Sequence, residues 1–102
     1  MAIQEITPNE VRELLRAGKK VSIIDVREDE EVAAGKIPEA KHIPMGEIPD
    51  KLDELDKATE HILVCRSGNR SGRVTEFLQG QGYRVKNMSG GMLEWEGEVS
   101  TS

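Results

Sequence analysis

The chain has 102 residues, 36% of them apolar and 32% charged, which is the composition of one soluble globular domain covering residues 1–102. Its 19 acidic and 14 basic residues give a net charge of −5, which argues against a nucleic-acid binder or a protein held on anionic membranes. No apolar run approaches the ~20 residues of a membrane helix, and the first ten residues lack the pattern of a signal peptide. Because a single cysteine cannot form an internal disulfide, we expect a reduced thiol in a cytoplasmic protein.

The first half of the chain predicts strands that alternate with helices. Thr7 and Glu10 form the capping-box signature of a helix start, and the run VSIIDV has the β-branched content of a buried parallel strand. In chain order, the pattern predicts a strand at 3–6, a helix from Pro8 to Gly18, strand 21–26, a short helix at 29–34 and a weak strand at 40–43.

The second half continues the alternation. Ile48, Leu52 and Leu55 share one helical face, and a second buried strand covers 62–64. A helix from about Ser71 to Gly80, a strand at 83–88 and, after Gly90-Gly91, a short terminal helix containing Trp95 complete the chain. Strands and helices joined by short loops predict an α/β domain on a mostly parallel sheet, whose strand ends are where ligands bind.

The only cysteine follows the strand at 62–64, inside the stretch HILVCRSGNRSGRV. A loop between a strand end and a helix start turns its N–H groups toward a common centre, and Gly68 permits the backbone angles that such a turn requires. These N–H groups, the positive end of the helix dipole and the charges of two arginines together favour a thiolate and an anionic substrate beside it. The arginines are Arg66 and Arg70. We therefore interpret Cys65 as a nucleophile rather than as a small buried apolar residue.

Four stretches together resemble a single-domain rhodanese, a thiosulfate sulfurtransferase-like transferase. The stretches are IIDVRE, EVAAGKIPEAKHIP, CRSGNRS and NMSGGMLEW, in the order and spacing of that family. The resemblance implies a five-stranded, mainly parallel sheet flanked by helices on both faces, with a six-residue catalytic loop from Cys65 to Arg70. Members commonly have an aromatic residue and a histidine where this chain has Val32 and Lys36.

The resemblance also implies a persulfide mechanism. The Cys65 thiolate would take the outer sulfur of thiosulfate or a related anionic donor, and then pass it to cyanide, a small thiol or a partner protein. The arginines would offset the donor's charge, and the loop N–H groups would stabilise the persulfide. Such an exchange requires no cofactor and no metal, and we expect a monomer. The predicted substrate-binding residues are Arg66, Ser67, Gly68, Asn69, Arg70 and Ser71.

Other polar residues receive supporting or surface roles. Asp25 and Arg27 close the strand at 21–26, and we expect a pair in which Asp25 orients the loop or an arginine, with Arg27 a candidate substrate contact. His42 and His61 are expected at the surface or at strand ends, since no partner stands at metal-ligand spacing. The acidic run at 28–31 is interpreted as a solvated helix face.

Two alternatives stay open. Cysteine phosphatases and arsenate reductases use a similar thiolate, but their loop is one residue longer than the four residues between Cys65 and Arg70, and an arsenate reductase usually has a resolving cysteine as well. The other alternative is a sulfur-carrier or regulatory rhodanese module that acts with a protein partner, although regulatory modules typically lack the cysteine. The two arginines favour thiosulfate or another compact anion over mercaptopyruvate.

Overall fold

The computed structural model describes residues 3–101 and places five strands in one parallel sheet. The predicted domain also includes residues 1, 2 and 102, which lie outside the described residues. The order across the sheet is β1-β5-β4-β2-β3, and each neighbouring pair is parallel, so β4 lies at the centre. The predicted fold is confirmed. The strands are β1 (Glu5–Ile6), β2 (Ser22–Asp25), β3 (Ala40–His42), β4 (Glu60–Val64) and β5 (Arg84–Met88).

Helical segments connect these strands. The first helix begins as predicted, because the Glu10 N–H donates to Thr7 Oγ1 at 3.1 Å and the Thr7 N–H donates to Glu10 Oε1 at 2.9 Å. Within residues 3–101 the segments are α1 (Pro8–Arg16), α2 (Asp29–Ala33), a 3₁₀ segment (Met45–Glu54), α3 (Asn69–Gly80) and a terminal 3₁₀ turn (Gly91–Glu94).

Two apolar clusters cover the two faces of the sheet. Successive strand side chains point to opposite faces, so Ile62 packs toward α1 and the terminal turn, whereas Leu63 packs toward α3 and the 3₁₀ segment. Val64 returns to the α1 face, and the alternation then places Cys65 on the α3 face, where it is fully buried. The strand period thus fixes the face on which the thiol lies.

Several elements differ from the prediction in detail. Helix α3 begins at Asn69, two residues early, because its N-cap Gly68 has a φ of +100° and turns the chain directly into the helix. The segment at 45–54 is 3₁₀ rather than α-helical, with Pro49 inside it and non-helical backbone at Lys51. The terminal helix is likewise a single 3₁₀ turn that ends just before Trp95.

The expectation of a surface or strand-end position is wrong for His61. This residue is the second of β4 and is 4% exposed. Its Nε2 donates to the carbonyl of Asp56 at 2.8 Å, and its Nδ1 forms a hydrogen bond with the Ser22 hydroxyl at 2.6 Å. Because both ring nitrogens have partners, the imidazole is buried here without an unsatisfied polar atom.

Candidate active site

Cys65 lies immediately after the carboxyl end of the central strand β4 and before the N-terminus of α3. The Gly68 N–H donates to its Sγ at 3.0 Å, and the Ser71 hydroxyl oxygen lies 3.3 Å from the same sulfur. The N–H of Gly68 is a hydrogen-bond donor, which stabilises a sulfur that carries negative charge. The sulfur is therefore held where a strand end, a tight loop and a helix start meet.

The terminal turn explains why the loop N–H groups face the sulfur. The carbonyls of Cys65 and Arg66 accept N–H bonds from Met92 at 2.9 Å and Leu93 at 3.0 Å. A Cβ on Gly91 would lie 2.5 Å from both of these carbonyl oxygens, so only glycine allows the close approach. With the carbonyls turned toward the terminal turn, the following N–H groups are left to turn inward. Gly91, predicted only as part of a turn, therefore shapes the loop that holds Cys65.

Asn87 connects Gly68 and Ser71, the two neighbours of the sulfur, and sequence reasoning missed it. This residue lies on β5, next to β4, and is 3% exposed. Its Oδ1 lies 2.6 Å from Ser71 Oγ, and its Nδ2 donates to the carbonyl of Gly68 at 3.2 Å and to Glu5 Oε2 at 3.1 Å. The last two partners are acceptors only, which fixes the orientation of the amide. Ser71 is thus a buried neighbour of the sulfur, part of this hydrogen-bonded network.

The surroundings of the thiol favour its ionised form. Burial raises the pKa of Cys65, whereas hydrogen bonds from the Ser71 hydroxyl and from the N–H groups of Ser71, Gly68 and Ser67 lower it. The hydrogen bonds outweigh burial, so the pKa lies below the ordinary value of a thiol. This direction agrees with the predicted thiolate; the largest lowering effects come from neutral hydrogen-bond donors, and the charge of Arg70 also interacts favourably with Cys65.

Arg70 occupies the loop as predicted, but it is already engaged in an ion pair. Its Nη1 and Nη2 donate to Glu31 Oε1 and Oε2 at 2.7 and 2.8 Å. The expectation that the acidic run at 28–31 is only a solvated face is therefore wrong for Glu31. The sequence has no local sign of this ion pair, because only the folded sheet brings Glu31 and Arg70 together. Helix α2 follows β2, and β2 lies beside β4 in the sheet.

The remaining loop residues face solvent. Arg66, Ser67 and Asn69 are exposed, and the Arg66 guanidinium has no ion-pair partner among residues 3–101. Arg66 is thus the loop cation whose charge is not offset by a paired carboxylate. The substrate-binding roles of these residues stay predictions.

Asp25 and Arg27 form the predicted pair at the end of β2. Arg27 Nη2 donates to Asp25 Oδ2 at 2.8 Å and also to the carbonyl of Gly35 at 2.7 Å. The side chains are 0% and 7% exposed, so Asp25 orients an arginine rather than the loop. Contact between Arg27 and a substrate stays a prediction.

The histidines and carboxylates do not build a metal centre in the described part of the chain. Within residues 3–101, no group of three or more His, Cys, Asp or Glu side chains is placed to hold a metal ion. His42, which ends β3 as expected, has its Nε2 2.7 Å from the carbonyl of Arg27. Over the same range, no helix combines the length and the apolar character that crossing a membrane requires.

Comparison with known proteins gives a consistent result. A family model described as "Rhodanese-like domain" matches residues 7–98. The chain is 50% identical to the "Putative sulfurtransferase YtwF" of Bacillus subtilis (strain 168), over 97% of this chain and 96% of that protein. It is 36% identical to the "Sulfurtransferase" of Allochromatium vinosum, over 91% of this chain and 88% of that protein. Its fold matches the rhodanese-like domain protein from Staphylococcus aureus with a TM-score of 0.93 at 42% identity, covering 98% and 99% of the two chains.

Proposed function

The chain belongs to the rhodanese-like family, and we propose that it transfers a sulfane sulfur through a persulfide on Cys65. Relatives named sulfurtransferase support the general activity. The observation that carries the proposal is the position of the Cys65 sulfur. It lies at the centre of the sheet edge and within hydrogen-bond distance of the Gly68 N–H and the Ser71 hydroxyl.

In the first half-reaction, the Cys65 thiolate attacks the outer sulfur of a donor such as thiosulfate. The new bond joins Sγ to that sulfur, the S–S bond of thiosulfate breaks, and the electron pair leaves with sulfite. The enzyme then carries an anionic persulfide, so negative charge remains at the end of the loop. The N–H groups that lower the pKa of the thiol are placed to stabilise this charge as well.

In the second half-reaction, a nucleophilic acceptor attacks the outer sulfur of the persulfide, and Cys65 leaves as the thiolate that starts the next cycle. The chain has no second cysteine to resolve the persulfide, so the acceptor must come from outside: cyanide in a test, a small thiol or a partner protein in the cell. A free-thiol acceptor fits a reducing cytoplasm. The two steps form a ping-pong cycle.

The test is to load the protein with thiosulfate in the absence of acceptor and to measure its intact mass. We expect a gain of one sulfur atom, which addition of cyanide reverses. The variant Cys65→Ser should show neither the mass change nor turnover, because no other thiol is present to carry the sulfur. Undiminished thiosulfate:cyanide turnover in that variant would falsify the mechanism.

A second measurement separates this proposal from phosphatase chemistry. The loop has four residues between Cys65 and Arg70, one fewer than a cysteine phosphatase uses for a tetrahedral oxyanion. We therefore expect no release of phosphate from an aryl phosphate by the wild-type protein. Cys65-dependent phosphate release without any mass gain from sulfur donors would support the phosphatase instead.

A further inference from the structure

The charge of the loop is reduced by a carboxylate from another part of the chain. Glu31 on α2 accepts two hydrogen bonds from Arg70, one on each oxygen. The Glu28 N–H donates to Glu31 Oε1 at 3.0 Å, which also holds the carboxylate in place. The pair is part-buried, with side-chain exposures of 32% for Arg70 and 27% for Glu31. Screening by salt is therefore weaker than for a surface pair.

The groups around the sulfur then present less positive charge than the sequence suggests. Arg27 is neutralised by Asp25, and Arg70 is neutralised by Glu31. Among the described loop residues, this leaves Arg66 as the cation without a paired carboxylate. A donor with two negative charges would meet one uncompensated positive charge and the Glu31 carboxylate that is paired with Arg70.

We propose that Glu31 is a specificity-determining residue that makes the site favour sulfane-sulfur donors with a single negative charge over dianionic thiosulfate. This inference rests on the proposed persulfide function and names its donor class: organic thiosulfonates and organic persulfides. With a thiosulfonate, the Cys65 thiolate takes the terminal sulfur, the S–S bond of the donor breaks, and a sulfinate leaves with the electron pair. The step balances in charge, because a thiolate and a thiosulfonate anion become an enzyme persulfide anion and a sulfinate anion. Thiosulfate remains a substrate, but its second charge is repelled by Glu31.

The expected size of the effect follows from the charge of the donor. Coulomb energy is proportional to the charge of each partner, so the effect of Glu31 on the logarithm of kcat/KM should be twice as large for a dianion as for a monoanion. If removal of the carboxylate charge raises kcat/KM about fivefold for a monoanion, it should raise it roughly 25-fold for a dianion. The ratio between the two donors, rather than either rate alone, is the signature.

The experiment compares thiosulfate with benzenethiosulfonate, which has the same reacting sulfur and one charge fewer. Both donors are assayed with the same saturating acceptor, in wild type, Glu31→Gln and the control Glu30→Gln. Glu30 lies one residue before Glu31 on α2 and is exposed, and no ion pair is formed by it among residues 3–101. We expect Glu31→Gln to increase efficiency with both donors, far more with thiosulfate, and Glu30→Gln to change either by less than about twofold.

The outcomes separate the possible roles of Glu31. Equal changes for the two donors, or a loss of efficiency with both, would mean that Glu31 only positions Arg70, and would overturn the inference while the persulfide mechanism stands. The variant Glu31→Asp keeps the charge and should keep the wild-type donor preference, so a preference that shifts as in Glu31→Gln would also contradict the proposal. Absence of sulfur on Cys65 after loading with either donor would instead overturn the proposed function, and this inference with it.

Discussion

The two sides of the Cys65 sulfur are built from different interactions. On the buried side, Cys65, Ser71 and Asn87 are each at most 3% exposed. Hydrogen bonds that involve the neutral Ser71 and Asn87 side chains connect them. On the exposed side, charged groups dominate, with Arg66 in solvent and the Arg70–Glu31 pair about one-third exposed. One wall of the site is therefore fixed by packing and hydrogen bonds, and the other is governed by charge.

This difference separates two tasks of the candidate active site. Buried neutral hydrogen bonds change little with salt, so the inner side should set the ionisation and the position of the thiol. Charges near the surface are screened within about 10 Å at moderate ionic strength, so the outer side should set how donors bind and how binding depends on salt. Substitutions on the two sides should therefore change different observables.

On the inner side, Asn87→Asp should have the largest effect. The carboxylate cannot donate to the Gly68 carbonyl, and it brings a buried negative charge next to the Glu5 carboxylate and the thiolate. We expect the free energy of unfolding to fall by about 2 kcal/mol or more, since a buried group loses its partner. We also expect the pKa of Cys65 to rise, because the like charge opposes the thiolate.

The pKa is measured from the pH dependence of iodoacetamide alkylation, and stability from urea unfolding. The control is Glu5→Gln, which keeps an acceptor oxygen for the Asn87 amide and should leave the alkylation profile unchanged. If Asn87→Asp lowers stability without moving the alkylation profile, the role of Asn87 is structural and its connection to the thiol is not used.

On the outer side, Arg66→Ala should give the next largest effect. A charge-assisted hydrogen bond to the donor is worth ~1.5–3 kcal/mol, so kcat/KM for thiosulfate should fall roughly ten- to a hundredfold. The loss should shrink as salt is raised, and the alkylation profile of Cys65 should stay close to that of wild type. Steady-state kinetics at low and high salt test both statements.

Arg73→Ala is the matched control for this prediction. Arg73 is also an exposed arginine, on α3 outside the predicted loop, and its removal should cost less than about threefold. Equal losses for Arg66→Ala and Arg73→Ala would mean that the general charge of the surface, and not the loop arginine, attracts the donor.

The parts of the fold that depend on local pattern could be predicted from the sequence. The buried strand β2 and the capping box at Thr7 each follow from a few adjacent residues. The sequence pattern predicts the start of α3 two residues too late, because Asn69 and Arg70 carry no helix signal of their own. In the structure, Gly68 provides the turn into the helix. The prediction of α-helical geometry at 45–54 is wrong, because Pro49 breaks the regular pattern of hydrogen bonds.

The candidate site shows the same limit. Cys65 and its loop are contiguous in sequence, so their chemistry could be inferred from neighbouring residue types. Asn87 and Glu31 act from β5 and α2, and their contacts depend on the order of strands in the sheet. An ordinary asparagine in a strand and a glutamate in an acidic run have no local signal that distinguishes them. Side chains brought in by topology were therefore the part that sequence reasoning missed.

The Arg70–Glu31 pair predicts the smallest effect, a stability difference that disappears in acid. The hydrogen bond from Arg70 lowers the pKa of Glu31 from 4.5 to about 2. A carboxyl whose pKa is lowered by folding stabilises the folded state when it is ionised, so its contribution is complete above about pH 4.5 and is lost as the pH falls through about 2. Because the pair is partly exposed, we expect about 1 kcal/mol or less.

Urea unfolding of wild type and Glu31→Gln at several pH values between about 6 and 2 measures this contribution. Wild type should be the more stable protein near neutral pH, and most of the difference should be lost at the acid end, where the pH reaches the pKa of Glu31. Glu30→Gln should show no comparable pH dependence, since no ion pair holds Glu30 within residues 3–101. A difference that stays constant down to pH ~2 would assign the effect of Glu31 to helix packing rather than to its charge.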